Sequence, residues 1–108
     1  MTDINERLAN IAAIPSQKDK TAEYRSLLET ILSLTNESEL ASNSEVFVEH
    51  IVQEQVGLVI SRQVLSDFVQ GVDKINNSEI KKRVLHFALN KVQPRAVSFE
   101  EQVSHIYL

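Results

Sequence analysis

The histidines are the residues of this chain best suited to catalysis or metal binding, and two of them have a carboxylate one helical turn away. His50 precedes Glu54, and His105 follows Glu101, each pair at a spacing of four residues. That spacing lets two metal ligands share one face of a helix. One such pair does not make a metal site, and no His-Glu-x-x-His motif is present. Hydrogen bonding along the helix face is the better interpretation of both pairs, so we assign no metal ligand.

Other catalytic constellations also lack support in the sequence. The chain has no cysteine, which excludes a disulfide, a thiolate metal site and a cysteine nucleophile. Gly57 and Gly71 are isolated, so there is no glycine-rich phosphate loop, and no serine lies in a Gly-x-Ser-x-Gly motif. His86, between Leu85 and Phe87, is better explained as a packed or rim residue than as a general base. We therefore predict no catalytic residue, no cofactor-binding residue, no cofactor and no enzymatic activity; metal analysis of the purified protein would test the enzyme hypothesis.

A basic cluster is predicted on the fifth helix and just after it. It consists of Lys81, Lys82, Arg83, Lys91 and Arg95. Nucleic-acid binding would favour such a stripe together with exposed aromatic residues and a basic chain. The net charge is −4 and Phe87 is expected to be buried, so we predict no nucleic-acid partner. A solvated helix face, or a contact with an acidic protein surface, explains the cluster better.

Charge also differs between the two halves of the chain. Residues 1–54 carry four Lys/Arg and ten Asp/Glu, net −6, whereas residues 55–108 carry seven and five, net +2. This gradient could orient a partner, or it could reflect two differently solvated helical surfaces.

Composition predicts one all-α domain. The chain of 108 residues is 43% hydrophobic but has only two glycines and two prolines, too few for the turns of an all-β fold. Its polar N-terminus leads into no long apolar run, so we predict neither a signal peptide nor a membrane span, and an intracellular, soluble protein.

Apolar residues recur at helical spacing and predict six helices. Their approximate bounds are Thr2–Ala13, Asp19–Leu34, Ser44–Gln55, Ser61–Val72, Ser78–Val92 and a last helix from Ser98. Their predicted buried faces are Ile4, Leu8, Ile11 and Ala12; Tyr24, Leu27, Leu28, Ile31 and Leu32; Phe47, Val48, Ile51 and Val52; Val64, Leu65, Phe68, Val69 and Val72; and Ile80, Val84, Leu85, Phe87, Ala88, Leu89 and Val92.

Two regions leave alternatives open. The polar residues 35–44 are either a loop or a poorly packed turn of helix. Residues 46–48, Val-Phe-Val, could begin a strand, but the Ile51-Val52 pair and the lack of a turn residue before Gly57 favour a helix. Ser61 is the predicted N-cap of the fourth helix.

The boundary between the fifth and sixth helices is the clearest in the sequence. Pro94 lacks an amide hydrogen and disfavours helical geometry at Gln93, so the fifth helix should end near Val92. Ser98 and Glu101 then form a Ser-x-x-Glu capping box that starts another helix. The segment is therefore a helix, an elbow and a helix.

The spacing of the helices predicts a repeat. Starts fall near residues 3, 19, 44, 61, 78 and 98, so every second start is separated by roughly 35–42 residues. Helical-hairpin solenoids have this period, because each pair of helices buries its apolar face against the next pair. We expect an α-solenoid, a right-handed stack like that of TPR or HEAT repeats, with about six helices.

Two stretches closely resemble the N-terminal helical region of the COP9 signalosome subunit 4 family. They are Leu58–Phe68 and His86–Val103, the second containing Gln93-Pro-Arg followed by Val97-Ser-Phe-Glu-Glu. The resemblance covers most of the chain from about Thr21 onward and is weakest at the N-terminus and across residues 35–45.

This resemblance implies a noncatalytic scaffold. Members of the family support removal of a ubiquitin-like modifier from cullins (deneddylation) by a complex whose zinc metalloprotease is a different subunit. They are PCI proteins, with a helical-repeat arm, a winged-helix module and a C-terminal helix. The implied partners are the other signalosome subunits and a cullin-RING ubiquitin ligase, in a hetero-oligomer of the cytoplasm and nucleus, without membrane or nucleic acid.

The chain departs from the family pattern at its C-terminal end. In the family the helix that starts at Ser98 continues into further repeats, whereas here the sequence ends at Leu108. We therefore expect residues 1–108 to be a single N-terminal helical-repeat segment, truncated, without the winged-helix domain, and prone to instability or self-association. The alternatives are a stand-alone helical adaptor that binds a partner helix, or a nonfunctional truncated isoform. Arg62 and Arg95 lie in the family-like stretches, but each could be structural, and neither is assigned to a site.

Overall fold

The protein, described by a computed structural model over residues 3–53 and 56–92, is helical, with no strand in that part of the chain. Its helices are α1 (Ile4–Ala12), α2 (Gln17–Leu32), α3 (Glu37–Ile51), α4 (Leu58–Val72) and α5 (Ser78–Val92). The all-α prediction is confirmed, and so is helix rather than strand at residues 46–48. The elbow after Val92 and the predicted sixth helix from Ser98 lie outside the described residues.

The helices form two layers. Helices α1, α3 and α5 pack side by side in one layer, and α2 and α4 form the other. Each helix contacts the next helix in the chain and the next but one. The smallest dimension, 18 Å, is close to that of two helices laid face to face. This is the alternation of a helical-hairpin repeat, as the spacing of the helix starts predicted.

Short polar side chains set the starts of four helices by accepting hydrogen bonds from orphan backbone amides. Asp3 Oδ1 accepts from Asn5 N (3.0 Å), Ser16 Oγ from Asp19 N (3.3 Å), Asn36 Oδ1 from Glu39 N (3.0 Å) and Asn77 Oδ1 from Glu79 N (2.9 Å) and Ile80 N (3.2 Å). Because Ser16 is the N-cap, α2 begins at Gln17, two residues before the predicted start, and it ends at Leu32 rather than Leu34.

One continuous apolar core lies between the layers. The largest side chains without solvent exposure are Tyr24, Phe47, Phe68, Leu27 and Ile31. The stripes predicted for α1, α2, α4 and α5 supply most of this core. Their outermost members, including Leu32, Phe87 and Leu89, are only half-buried and pack against its edge.

The start predicted for α3 was wrong. The helix begins at Glu37 instead of Ser44, and residues 37–43 are neither a loop nor a poorly packed turn. Leu40, Ala41 and Ser44 are buried on the same helical face as Phe47. Ser44 occupies an apolar position, which hid the stripe that these residues form. The helix ends at Ile51, short of the predicted Gln55, which itself lies outside the described residues.

The N-cap predicted for α4 was also wrong. The helix starts one turn earlier, at Leu58, with Gly57 as N-cap in a left-handed conformation (φ 91°) that favours glycine. Ser61 therefore lies inside the helix, where it is buried, and its backbone amide donates to the carbonyl of Gly57 (3.0 Å). Residues 58–60, which precede the predicted start, form the first turn of α4.

Polar contacts join helices that are one repeat apart. Arg25 on α2 pairs with Asp67 on α4, and Glu45 on α3 pairs with Arg83 on α5 (2.7 Å). The side-chain amide of Asn77, before α5, donates to Glu37 at the start of α3 (2.8 Å). The sequence separations are 42, 38 and 40 residues, close to the predicted period. Exposed ion pairs stabilise a fold by at most about 1 kcal/mol each. These contacts therefore fix the alignment of the helices but contribute little to the free energy of unfolding.

Ser44 gives the first testable prediction about the core. Its side-chain oxygen is fully buried and has no hydrogen-bond partner within the described residues. A buried unsatisfied hydroxyl costs about 1–3 kcal/mol, and its removal abolishes that cost. We expect Ser44→Ala to raise the free energy of unfolding by about 1 kcal/mol, measured by urea denaturation.

Ala41→Ser is the matched control, because Ala41 is equally buried one turn earlier on the same helix. It introduces the cost that Ser44→Ala removes, so it should lower the free energy of unfolding by about 1 kcal/mol or more. A destabilised Ser44→Ala protein would mean that the hydroxyl has a partner in solution.

Candidate protein-binding groove

His50, the histidine of one predicted pair, hydrogen-bonds a tyrosine. Its Nε2 lies 2.8 Å from the phenolic oxygen of Tyr24, which joins α3 to α2. Its predicted partner Glu54, and the pair His105 and Glu101, lie outside the described residues. Among residues 3–53 and 56–92, no three histidine or carboxylate side chains converge as a metal site would require.

The Tyr24–His50 pair belongs to an aromatic cluster at the junction of α2 and α3. The rings of Tyr24 and His50 are tilted by 55° with centroids 5.6 Å apart. Tyr24 also meets Phe47 edge to face, at a centroid distance of 6.4 Å. Tyr24 is completely buried, whereas His50 is half-buried and reaches the surface. The cluster therefore connects the core to the outside of the α1–α3 layer.

Burial keeps both members of the pair neutral. Desolvation raises the pKa of the Tyr24 phenol and lowers the pKa of the His50 imidazole. One hydrogen bond then forms between a phenol and a neutral imidazole, and the imidazole tautomer decides which of them donates. A partner of this kind explains His50 without a metal ion or a catalytic role.

A groove of about 530 Å³ lies beside this pair, between α1 and α3. It is lined by Asn5, Leu8, Ala9 and Ala12 of α1, by Val46, Glu49 and His50 of α3, and by Gln53 just after α3. On each helix the lining residues recur at three- and four-residue spacing, so each contributes one face. The groove is open because α1 offers only the methyl groups of Ala9 and Ala12 where larger side chains would fill it.

The groove has an apolar floor and a polar rim. Leu8 is buried, and Val46 and Ala12 are half-buried. Glu49 is exposed and is the one charged side chain among the lining residues that the structure describes. Four of the eight lining residues are apolar and four are polar. Grooves that bind an amphipathic helix combine apolar contact surface with polar groups that fix its orientation.

The predicted basic cluster lies mostly on α5 and contacts groups of its own chain. Lys81 Nζ donates to the carbonyl of Asp73 (2.9 Å), and Arg83 pairs with Glu45. Lys91 Nζ lies 5.5 Å from the centroid of the half-buried Phe87 ring, a cation–π contact. These contacts favour the interpretation of the cluster as a helix surface. Arg95 lies outside the described residues.

Two further residues singled out from the sequence are exposed. His86 lies on the surface of α5 rather than in the core, which decides between the packed and rim alternatives in favour of the rim. Arg62 is exposed on α4 and remains unassigned. Within residues 3–53 and 56–92, no helix is both long enough and apolar enough to cross a bilayer.

Sequence reasoning did not find the groove. Its defining residues, Ala9 and Ala12, are small and read as ordinary helix formers, and Ala12 was placed on the buried face of α1. The available signal was the spacing of Asn5, Ala9 and Ala12, a second stripe of small and polar side chains beside the buried one.

Fold and groove together define a class of protein: an all-α helical-repeat segment with a surface suited to protein contacts. Comparison with known proteins makes this more specific, since a family model described as PSMD12/CSN4, N-terminal, matches residues 3–108. The chain belongs to this family.

Several similar proteins are named COP9 signalosome complex subunit 4. The chain is 46% identical over 91 residues to COP9 signalosome complex subunit 4 of Drosophila melanogaster, covering 84% of this chain and 22% of that protein. It is 37% identical over 99 residues to the Arabidopsis thaliana protein of that name, covering 92% and 24%. The Dictyostelium discoideum protein is 33% identical over 106 residues, covering 98% and 26%. The chain thus spans about a quarter of the length of these relatives.

The half-buried His50 predicts that the free energy of unfolding depends on pH. Unfolding returns His50 to the ordinary pKa of 6.5, whereas folding lowers that pKa. The neutral form therefore stabilises the fold above pH 6.5, and this contribution is lost as the pH falls through the lower pKa of the folded state. We expect the free energy of unfolding to decrease between about pH 7.5 and about pH 5.5. Few carboxylates titrate in this range, because their ordinary pKa values are about 4.

His50→Gln should remove most of that decrease, because the titrating group is gone. The matched control is His86→Gln, which changes an exposed histidine on α5 and should leave the decrease intact. Urea denaturation of the three proteins at each pH measures it. Equal pH dependence in His50→Gln and the parent protein would contradict the assignment.

Proposed function

We propose that this chain acts as a noncatalytic scaffold in the COP9 signalosome. In this role it supports cullin deneddylation, and with it the regulation of cullin-RING ubiquitin ligases, through protein–protein contacts. The observation that carries the proposal is the match of the family model to residues 3–108, together with relatives named as subunit 4 of that complex. The name of the relatives supports other signalosome subunits as partners.

The structure is compatible with a function carried out through surface contacts with other proteins. The titratable pair Tyr24 and His50 is satisfied by its own hydrogen bond, and burial disfavours the charged form of each side chain. The groove between α1 and α3 presents an apolar floor and a polar rim to solvent. A cullin-RING ligase as a partner, and a location in the cytoplasm and nucleus, are parts of this proposal that follow from the family resemblance.

A second candidate is a stand-alone adaptor that binds one helix of a partner. The α1–α3 groove favours it, since this groove is formed entirely by residues of the chain itself. Such an adaptor would bind its partner without entering the signalosome, which distinguishes it from the scaffold.

A chimera tests the scaffold proposal. Residues 3–108 would replace the matching segment of the Drosophila subunit 4, which is 46% identical to this chain over 91 residues. We expect the chimera to co-purify with the remaining subunits and to sustain cullin deneddylation at a rate within about threefold of the parent complex, a difference below 1 kcal/mol. Size-exclusion chromatography and a gel-based deneddylation assay measure the two outcomes.

The control replaces the same segment with an unrelated helical repeat of equal length. It separates a specific contribution of this sequence from mere retention of a folded arm. If the chimera folds by circular dichroism but assembles and deneddylates no better than this control, the scaffold proposal is wrong for this chain, and the adaptor becomes the better candidate.

A further inference from the structure

The α1–α3 groove contains an uncompensated carboxylate. Glu49 lines the groove, is exposed, and pairs with no cation among residues 3–53 and 56–92. The neighbouring glutamate on α3, Glu45, has its cation in Arg83. Glu49 takes part in none of the ion pairs between the described helices, so its carboxylate is available to a cation outside the described residues.

The two helices of the groove are acidic as a pair. Together α1 and α3 carry five glutamates and one arginine, net −4. In the same layer α5 carries three lysines and one arginine against one glutamate, net +3. The strongest contrast of charge in the described structure thus lies within one layer, with the groove at its acidic end. The net negative charge of the pair lies on α3, since α1 carries one glutamate and one arginine. Glu49 is the α3 carboxylate that lines the groove, and an exposed carboxylate attracts cations and repels acidic segments.

We propose that the groove between α1 and α3 binds a short basic amphipathic helix of a partner protein. Small or aliphatic side chains of that helix lie on Ala9, Ala12 and Val46, and a lysine or arginine pairs with Glu49. This proposal does not depend on membership of the signalosome, because every group that it uses belongs to the described chain.

The dimensions of the groove suit a helix. From Asn5 to Ala12 the lining of α1 extends over seven residue-to-residue steps, about 10 Å at 1.5 Å per residue, or two helical turns. An occupant with apolar residues at i, i+4 and i+7 covers that length. The methyl groups of Ala9 and Ala12 allow its backbone to approach closely, as small residues do wherever helices pack tightly.

A second copy of the chain is a less suitable occupant. Its most basic helix is α5, but Lys81 and Arg83 there already contact Asp73 and Glu45 of their own chain. Docking α5 in another copy's groove would exchange these contacts rather than add to them. The self-association of the isolated chain is nevertheless a measurable outcome of the experiment below.

The probes are two helical peptides of about 15 residues, hydrocarbon-stapled so that little of the binding energy is lost in folding them. Both carry the same leucine and alanine stripe at i, i+4 and i+7. One is flanked by lysines and the other by glutamates. Fluorescence anisotropy of each labelled peptide with the full chain measures Kd. We expect the lysine peptide to bind roughly tenfold or more tightly than the glutamate peptide, with Kd rising as salt is added.

Three variants locate the binding site. Ala9→Trp fills the groove and should weaken the lysine peptide by roughly tenfold or more, the scale for blocking a central contact. Glu49→Lys reverses the charge and should reduce or invert the preference between the two peptides. Glu23→Lys, an equal charge reversal at an exposed position of α2 in the other layer, is the matched control and should change neither Kd by more than roughly twofold.

Each other outcome overturns the proposal. Equal binding of the two peptides would show that charge does not select the occupant. Unchanged binding by Ala9→Trp, with helix content intact by circular dichroism, would place the site elsewhere. A dimer in analytical ultracentrifugation that Ala9→Trp abolishes would show that a second copy covers the groove.

Discussion

The described fold depends on the burial of α3. This helix contacts each of the four other helices in the described part of the chain: α1 and α5 beside it in its own layer, and α2 and α4 in the opposite layer. Its inner face, with Phe47, Val48 and Ile51 at its centre, has no solvent exposure. Since an isolated helix of this length is marginal in water, packing against its four neighbours is what stabilises it. The hairpins on either side are joined through α3 and through the direct packing of α2 on α4.

The same helix shows how far the sequence alone could define the fold. Period and composition predicted the helical class, the layered repeat and most of the core, because Leu, Ile, Val and Phe at three- and four-residue spacing leave few alternatives. The prediction failed where polar residues take apolar roles. Leu40, Ala41, Ser44 and Phe47 do follow helical spacing, but Ser44 interrupts the stripe by residue type. Asn36, with Glu39 three residues later, was the local signal for the true start.

Ser61 illustrates the same error from the side of capping. A serine before a strong apolar stripe is a good N-cap by local rules, yet Gly57 begins α4 one turn earlier and Ser61 is buried within the helix. Local capping preferences are worth about 1 kcal/mol, and the burial of Ile60 and Val56 against the core exceeds that. For the candidate site, the limits were of another kind. His50 was recognised as a residue of interest, but its partner Tyr24 is 26 positions away on another helix, beyond any local pattern.

The groove is a consequence of the way α3 divides its surface. One face of α3 enters the core, a second carries Glu45 toward Arg83 on α5, and a third, with Val46, Glu49 and His50, lines the groove. Because α3 is packed into the core, the groove residues that it carries are fixed in position. The hydrogen bond to Tyr24 fixes His50 further. A surface fixed in this way loses little conformational entropy when a partner binds, so more of the contact energy appears as affinity. In this chain the burial of α3 against its neighbours and the presence of a preformed groove are two results of one packing arrangement.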